Sequence, residues 1–285
     1  RLFQVVRNMR ADGKAIVIIT HKLHEVLSVS DEVAVLRKGK YIGTVKTSEA
    51  TAQSLTDMMV GRAVSLNIDR PDPVDPKPRL KIEGLTCVDN LGVKRLDDVT
   101  FTAMSGEILG IAGIAGSGQR ELLECITGLY PVEHGTVTFL PEGKPAQQLI
   151  GKTPNQIRKA GVAMAFVPED RLGMGLVGSM GMGSNMMLRS WRKGKGAFVN
   201  RRDPNKLAME VMEELEVVTP SISTPVRRLS GGNVQKVLVG REIAMSPSVL
   251  LTAYAVRGLD INTSYTIYNL LTQQKMKGSA VVFVG

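Results

Sequence analysis

The chain reads as an α/β fold, and three observations predict it. Residues 107–112, EILGIA, read as a buried strand that passes through a glycine-rich loop into a helical pattern. Val249-Leu250-Leu251-Thr252 is a second apolar run of strand length. Residues 1–20 and 266–285 each read as a helix, a Gly-containing turn and a β-branched strand that should be buried. Strands alternating with helices predict a sheet covered by helices.

Taken in order, the first helix runs through Leu2, Phe3, Val5 and Val6, turns at Gly13, and leads to a strand at Ala15–Ile19. Residues 30–40, SDEVAVLRKGK, read as the next strand and turn. Residues 69–79, DRPDPVDPKPR, hold four prolines among charges and predict an extended, semi-rigid linker. After the strand at 107–112 and its loop, a helix runs through Gln119, Arg120, Leu122, Leu123 and Ile126. Phe166-Val167-Pro168-Glu169-Asp170-Arg171 is a Pro-broken turn after a short apolar run. Helical amphipathicity recurs around Lys206–Leu215 in a Met-rich stretch, where Met more often fills a core than forms a partner groove.

The first and last segments align without a gap at an offset of 265 residues: Leu2 with Ile267, Gly13 with Gly278, Ala15 with Ala280, Val17 with Val282. That period is a whole domain, not a solenoid unit. The chain is therefore expected to carry the end of one copy (1–66), a Pro-rich linker (67–79) and most of a second copy (80–285).

Composition narrows the class. Apolar residues are 43% of the chain, enough for a buried core, and 285 residues allow one large domain or two smaller ones. Two cysteines, Cys87 and Cys125, make no disulfide framework and suit a reducing compartment. No apolar run reaches membrane-spanning length and no signal peptide is present. The net charge of +9 fits nucleic acid, an anionic membrane, a phosphate ligand or simply surplus surface Lys and Arg. The basic residues are dispersed, with one cluster at Arg189, Arg192, Lys193 and Lys195. No aromatic ladder accompanies them, as single-strand binding would need.

Two segments carry phosphate chemistry. In Leu229-Ser230-Gly231-Gly232-Asn233 a Ser and two glycines stand where a helix begins. Their N–H groups converge at the positive pole of the helix, which suits an anion, and glycine lets it approach the backbone. Ser-Gly-Gly is also an ordinary helix cap. In Gly113-Ile114-Ala115-Gly116-Ser117-Gly118, strand, Gly-rich loop and helix follow one another as in a phosphate loop. The consensus then wants Lys and Ser/Thr, and this chain has Gln119 and Arg120. Losing the lysine removes one charge-assisted hydrogen bond and about tenfold to a hundredfold in nucleotide affinity. Arg120 would supply charge one position late, and the loop reads equally as purely structural.

LSGGNVQK, VPEDR and RGLD, in that order and spacing, resemble the ATP-binding-cassette (ABC) ATPases, in particular the tandem-cassette subunits of simple-sugar and nucleoside importers. The loop ending Gly118-Gln119, followed by Glu121-Leu122, is nearer the nucleoside branch. The resemblance implies a P-loop cassette with a mixed sheet core, an antiparallel β subdomain and a helical subdomain at about 172–228 facing a permease. It implies ATP with Mg2+ as cofactors, permease subunits and a substrate-binding protein as partners, no nucleic acid, and a place on the cytoplasmic face of the membrane. It puts Glu169 at the junction with the helical subdomain, and Asp260 near the ATP. It makes His21 the switch histidine of the first copy, while His24 is not. The family's metal-binding Asp and catalytic Glu fall on Ala253 and Tyr254, which neither bind metal nor accept a proton at neutral pH. No aromatic between Leu80 and Thr100 is available to stack an adenine.

In such a pair each ATP lies between one copy's loop and the other copy's signature. The second copy is expected to be defective on its own loop and to lend Ser230, Gly231 and Gly232 to the first copy's ATP. The first copy's own loop would lie upstream of these residues, and the chain alone is expected to be nearly inert. Alternatives are a soluble tandem cassette acting on nucleic acid or ribosomes, and a non-hydrolytic scaffold.

Overall fold

The computed structural model describes residues 2–37, 39–61, 68–114, 116–191 and 199–285. These form two compact units, Arg1–Ile68 with Asp260–Tyr265, and Asp69–Leu259 with Thr266–Gly285.

In the first unit, α1 (Leu2–Ala11) and α2 (Leu23–Val29) precede a hairpin of β1 (Glu32–Arg37) and β2 (Lys40–Lys46), then α3 (Ala52–Val60). Thr51 and Ser54 form a reciprocal capping box at the start of α3, with bonds of 3.0 and 2.9 Å. Val35 and Leu55 are buried. The strand expected at Ala15–Ile19 is not there: the segment makes no ladder, and Val17 and Ile19 are 91% and 98% exposed. A β-branched run becomes a strand only beside a partner. Among the described residues, the two strands of this unit pair with each other alone.

In the second unit, β3 (Pro78–Val88), β4 (Lys94–Met104), β6 (His134–Phe139) and β7 (Gln147–Gln148) make an antiparallel sheet in the order β4-β3-β6-β7. A parallel sheet has the order β5-β10-β9-β8, from β5 (Ile108–Ile111), β8 (Met164–Val167), β9 (Val249–Ala253) and β10 (Ala280–Val284). Its helices are α4 (Gln119–Thr127), α5 (Pro154–Lys159), α6 (Met182–Met187), α7 (Arg202–Glu214) and α8 (Gly231–Ile243); α9 (Ile261–Met276) begins in the first unit and belongs to the second from Thr266 onward.

Side-chain alternation splits each inner strand between two cores. Leu251, Val282 and Val284 join Leu80, Ile82, Leu123 and Val137 between the sheets and α4. Leu250 and Val281 join Val211, Val237 and Leu238 of α7 and α8. The parallel sheet is thus covered on both faces, which is why β9 is buried along its whole length. β5 departs from expectation: it is an edge strand bonded to β10 only, and Ile108 is 38% exposed. Met182 and Met186 are fully buried core filler.

The proline-rich stretch is extended but pinned. Ser105 N donates to the Lys77 carbonyl (2.7 Å), Lys77 N donates to Ser105 Oγ (2.9 Å), and Lys275 Nζ donates to the Pro71 carbonyl. Of the basic cluster, Arg189 pairs with buried Glu242 at 3.1 Å, whereas Arg192, Lys193 and Lys195 lie outside the described residues. Among the described residues no helix is long and apolar enough to cross a membrane.

Candidate nucleotide and signature sites

β5 delivers the chain to the loop 113–118, of which Ala115 lies outside the described residues. Gly116 and Gly118 take φ of +88° and +91°. A β-carbon on Gly118 would overlap the Arg95 carbonyl of β4, so only glycine lets the loop press against that strand. Gln119, the first residue of α4, is 5% exposed. Its Nε2 donates to the Ile114 carbonyl at 3.0 Å, and the same oxygen accepts from Ser117 N at 3.2 Å. A β-carbon on Gly113 would collide with the Gln119 amide. The side chain at the lysine position is therefore folded back into its own loop.

Arg120 does not reach into the loop either. Its Nε donates to Glu124 Oε1 at 2.7 Å, one helical turn on, and that buried carboxylate holds the guanidinium pKa above its ordinary value. Arg120, Glu124, Phe166, Glu169 and Ala253 line a cavity of about 400 Å³. Ala253 is buried at the end of β9. Tyr254 has φ +49°, donates its N–H to the Val284 carbonyl at 2.8 Å, and faces the Arg257 guanidinium 5.6 Å from its ring centre. Arg257 pairs with Glu169.

These residues do not fit Mg2+. Arg120 stands where the metal-holding hydroxyl belongs and Ala253 where the carboxylate belongs. Asp170 is committed to the N–H groups of Leu172 and Gly173 at 3.3 and 2.8 Å, as Glu124 and Glu169 are to arginines. No group of three or more His, Cys, Asp or Glu among the described residues could hold a metal. At the β3–β4 turn, where an adenine would stack, Leu91 is 87% exposed. Asp89 Oδ1 accepts from Leu91 N (2.8 Å) and Val93 N (2.9 Å), and Oδ2 pairs with Arg95. The Val93 bond is the largest cause of an Asp89 pKa below the usual carboxylate range.

The signature segment is intact. Ser230 caps α8: its Oγ accepts from Asn233 N at 3.4 Å and from Asn233 Nδ2 at 3.0 Å. Asn233 Oδ1 accepts from Val218 N at 3.0 Å. The first intrahelical bond runs from Val234 N to the Ser230 carbonyl at 2.9 Å, so Gly231 and Gly232 lie ahead of it with N–H groups turned out of the helix end. Arg171 joins this corner, with Nη2 donating to the Arg257 carbonyl at 2.5 Å. A β-carbon on Gly231 would stand 3.2 Å from Arg171 Nη1. Arg171 and Glu124 were not among the sequence candidates. The i,i+4 spacing of Arg120 and Glu124 could have shown the second; Arg171 ends the VPEDR segment, but nothing local shows that it reaches Gly231.

His21 and Asp260 belong to the other unit. His21 is exposed at a bend before α2. Asp260 accepts from Thr263 N at 3.0 Å and from Thr263 Oγ1 at 2.8 Å, capping α9.

A loop, a capped signature helix and two stacked sheets of this topology define an ATP-binding cassette, and the chain belongs to the ABC transporter family, whose profile matches residues 96–252. It is 36% identical over 286 residues to the guanosine import ATP-binding protein NupO of Bacillus subtilis, covering 99% of this chain and 55% of that protein. It is 35% identical over 287 residues to the xylose import ATP-binding protein XylG of Yersinia pestis, with the same coverage. The chain thus spans about half the length of these curated relatives. A solved ATP-binding cassette in a post-hydrolysis state with ADP and phosphate superposes with a TM-score of 0.61 at 23% identity, over 72% of this chain and 86% of that one. That likeness establishes the α/β cassette fold with its antiparallel and parallel sheets.

Proposed function

We propose that the chain is part of the ATP-binding subunit of an importer for nucleosides or simple sugars. Residues 1–66 are the end of a first cassette and 80–285 most of a second. The observation that carries this reading is a contrast within one unit. The Ser230-Gly231-Gly232 helix start is intact, while Gln119 is folded into its loop and Ala253 leaves the metal position bare. A signature retained beside a disabled loop serves an ATP held elsewhere, on the first cassette's loop, with His21 and Asp260 contributing from the first-cassette side and the turn after β9.

In this reading ATP draws the two cassettes together, and hydrolysis at the intact site releases them. Closure is coupled to permease subunits that receive solute from a substrate-binding protein, at the cytoplasmic face of the membrane. Mg2+ belongs to the composite site. The import names of the relatives support the class of solute, and the absence of an aromatic base ladder speaks against nucleic acid as substrate. The test is Ser230→Arg in the intact protein assembled with its permease. Steady-state ATPase is expected to fall by about a hundredfold or more; near-normal turnover overturns the reading.

A further inference from the structure

Arg171 is half-buried and has no carboxylate within ion-pair distance among the described residues. Burial lowers its pKa. One arm of its guanidinium is fixed by the Arg257 carbonyl at 2.5 Å. The other, Nη1, lies against Gly231 at the start of α8 and makes no hydrogen bond among the described residues. A cation held at the positive pole of a 13-residue helix is in an unfavourable field unless an anion is present. Its fixed, planar fork suits a phosphate oxygen better than a lysine would.

We infer that Arg171 is a phosphate-binding residue of the composite ATP site, reaching the terminal phosphate beside Ser230 and Gly231. Arg257, on the turn after β9, fixes the side chain, and Glu169 pairs with Arg257 in turn. The VPEDR segment is thereby joined to both the signature and that turn. The inference rests on the reading that this signature closes over another cassette's ATP.

The experiment measures ATPase against ATP concentration in the intact protein with its permease. Arg171→Ala is expected to raise KM for ATP about tenfold or more, the loss of one charge-assisted contact, with a smaller change in kcat. Arg171→Gln, which keeps the contact to the Arg257 carbonyl without the charge, should do the same. Arg171→Lys should recover part of the affinity. KM within twofold of wild type for both neutral variants overturns the inference, as does Lys performing no better than Gln. Normal ATPase in Ser230→Arg overturns the signature reading itself. Loss in Ser230→Arg with unchanged KM in the Arg171 variants overturns this inference alone.

Discussion

Gln119 turns its amide onto Ile114, and Arg120 turns its guanidinium onto Glu124. The two side chains that follow the glycine-rich loop are thus each satisfied by a protein partner of their own. Both contacts are local and lie within five residues, yet only their directions show that the Arg120 guanidinium is turned onto α4 and not into the loop. Cys87 and Cys125 give a separate expectation at this scale. Both thiols are buried, and burial pushes both pKa values up. The thiolate is the reactive form, so reactivity should appear only when the core opens. Iodoacetamide at about pH 8 is expected to leave both unlabelled in the native chain and to label both in denaturant. Rapid native labelling would contradict the packing.

Among the elements, the junction of β4, the loop and α4 depends on Gly118. An L residue there meets a left-handed φ and the Arg95 carbonyl together. Gly118→Ala should cost about 2 kcal/mol or more, read as a lowered urea midpoint with unchanged slope. Most elements were legible before the structure. The run at 249–252 became β9, the amphipathic stretch around 206–215 lies on α7 and its C-cap Leu215, and Ser230 begins α8 as a cap. Periodicity and capping are local signals, so they survive in a sequence. Two elements were misread for one reason. EILGIA has the composition of an inner strand but sits at an edge, and residues 15–19 have the composition of a strand but no neighbour. Apolar content reports a preference for burial; the partner that provides it is elsewhere in the chain.

For the molecule as a whole, Arg120 and Ala253 come together with Glu169 around one cavity of the second unit. On the proposed reading, the site on this unit's own loop lacks its lysine, metal ligand and general base and should not turn over. The purified chain by itself is expected to show no sustained phosphate release from ATP, measured with and without Mg2+, and steady turnover would contradict the reading of the second cassette. The sequence by itself determined the α/β class and the order of its motifs, because those depend on residue identity and short spacing. The tertiary structure alone decided that Arg171 stands against Gly231 and holds the carbonyl of Arg257, 86 residues away. Such a contact follows from how α8 and the turn after β9 pack around the parallel sheet, and no local pattern encodes it.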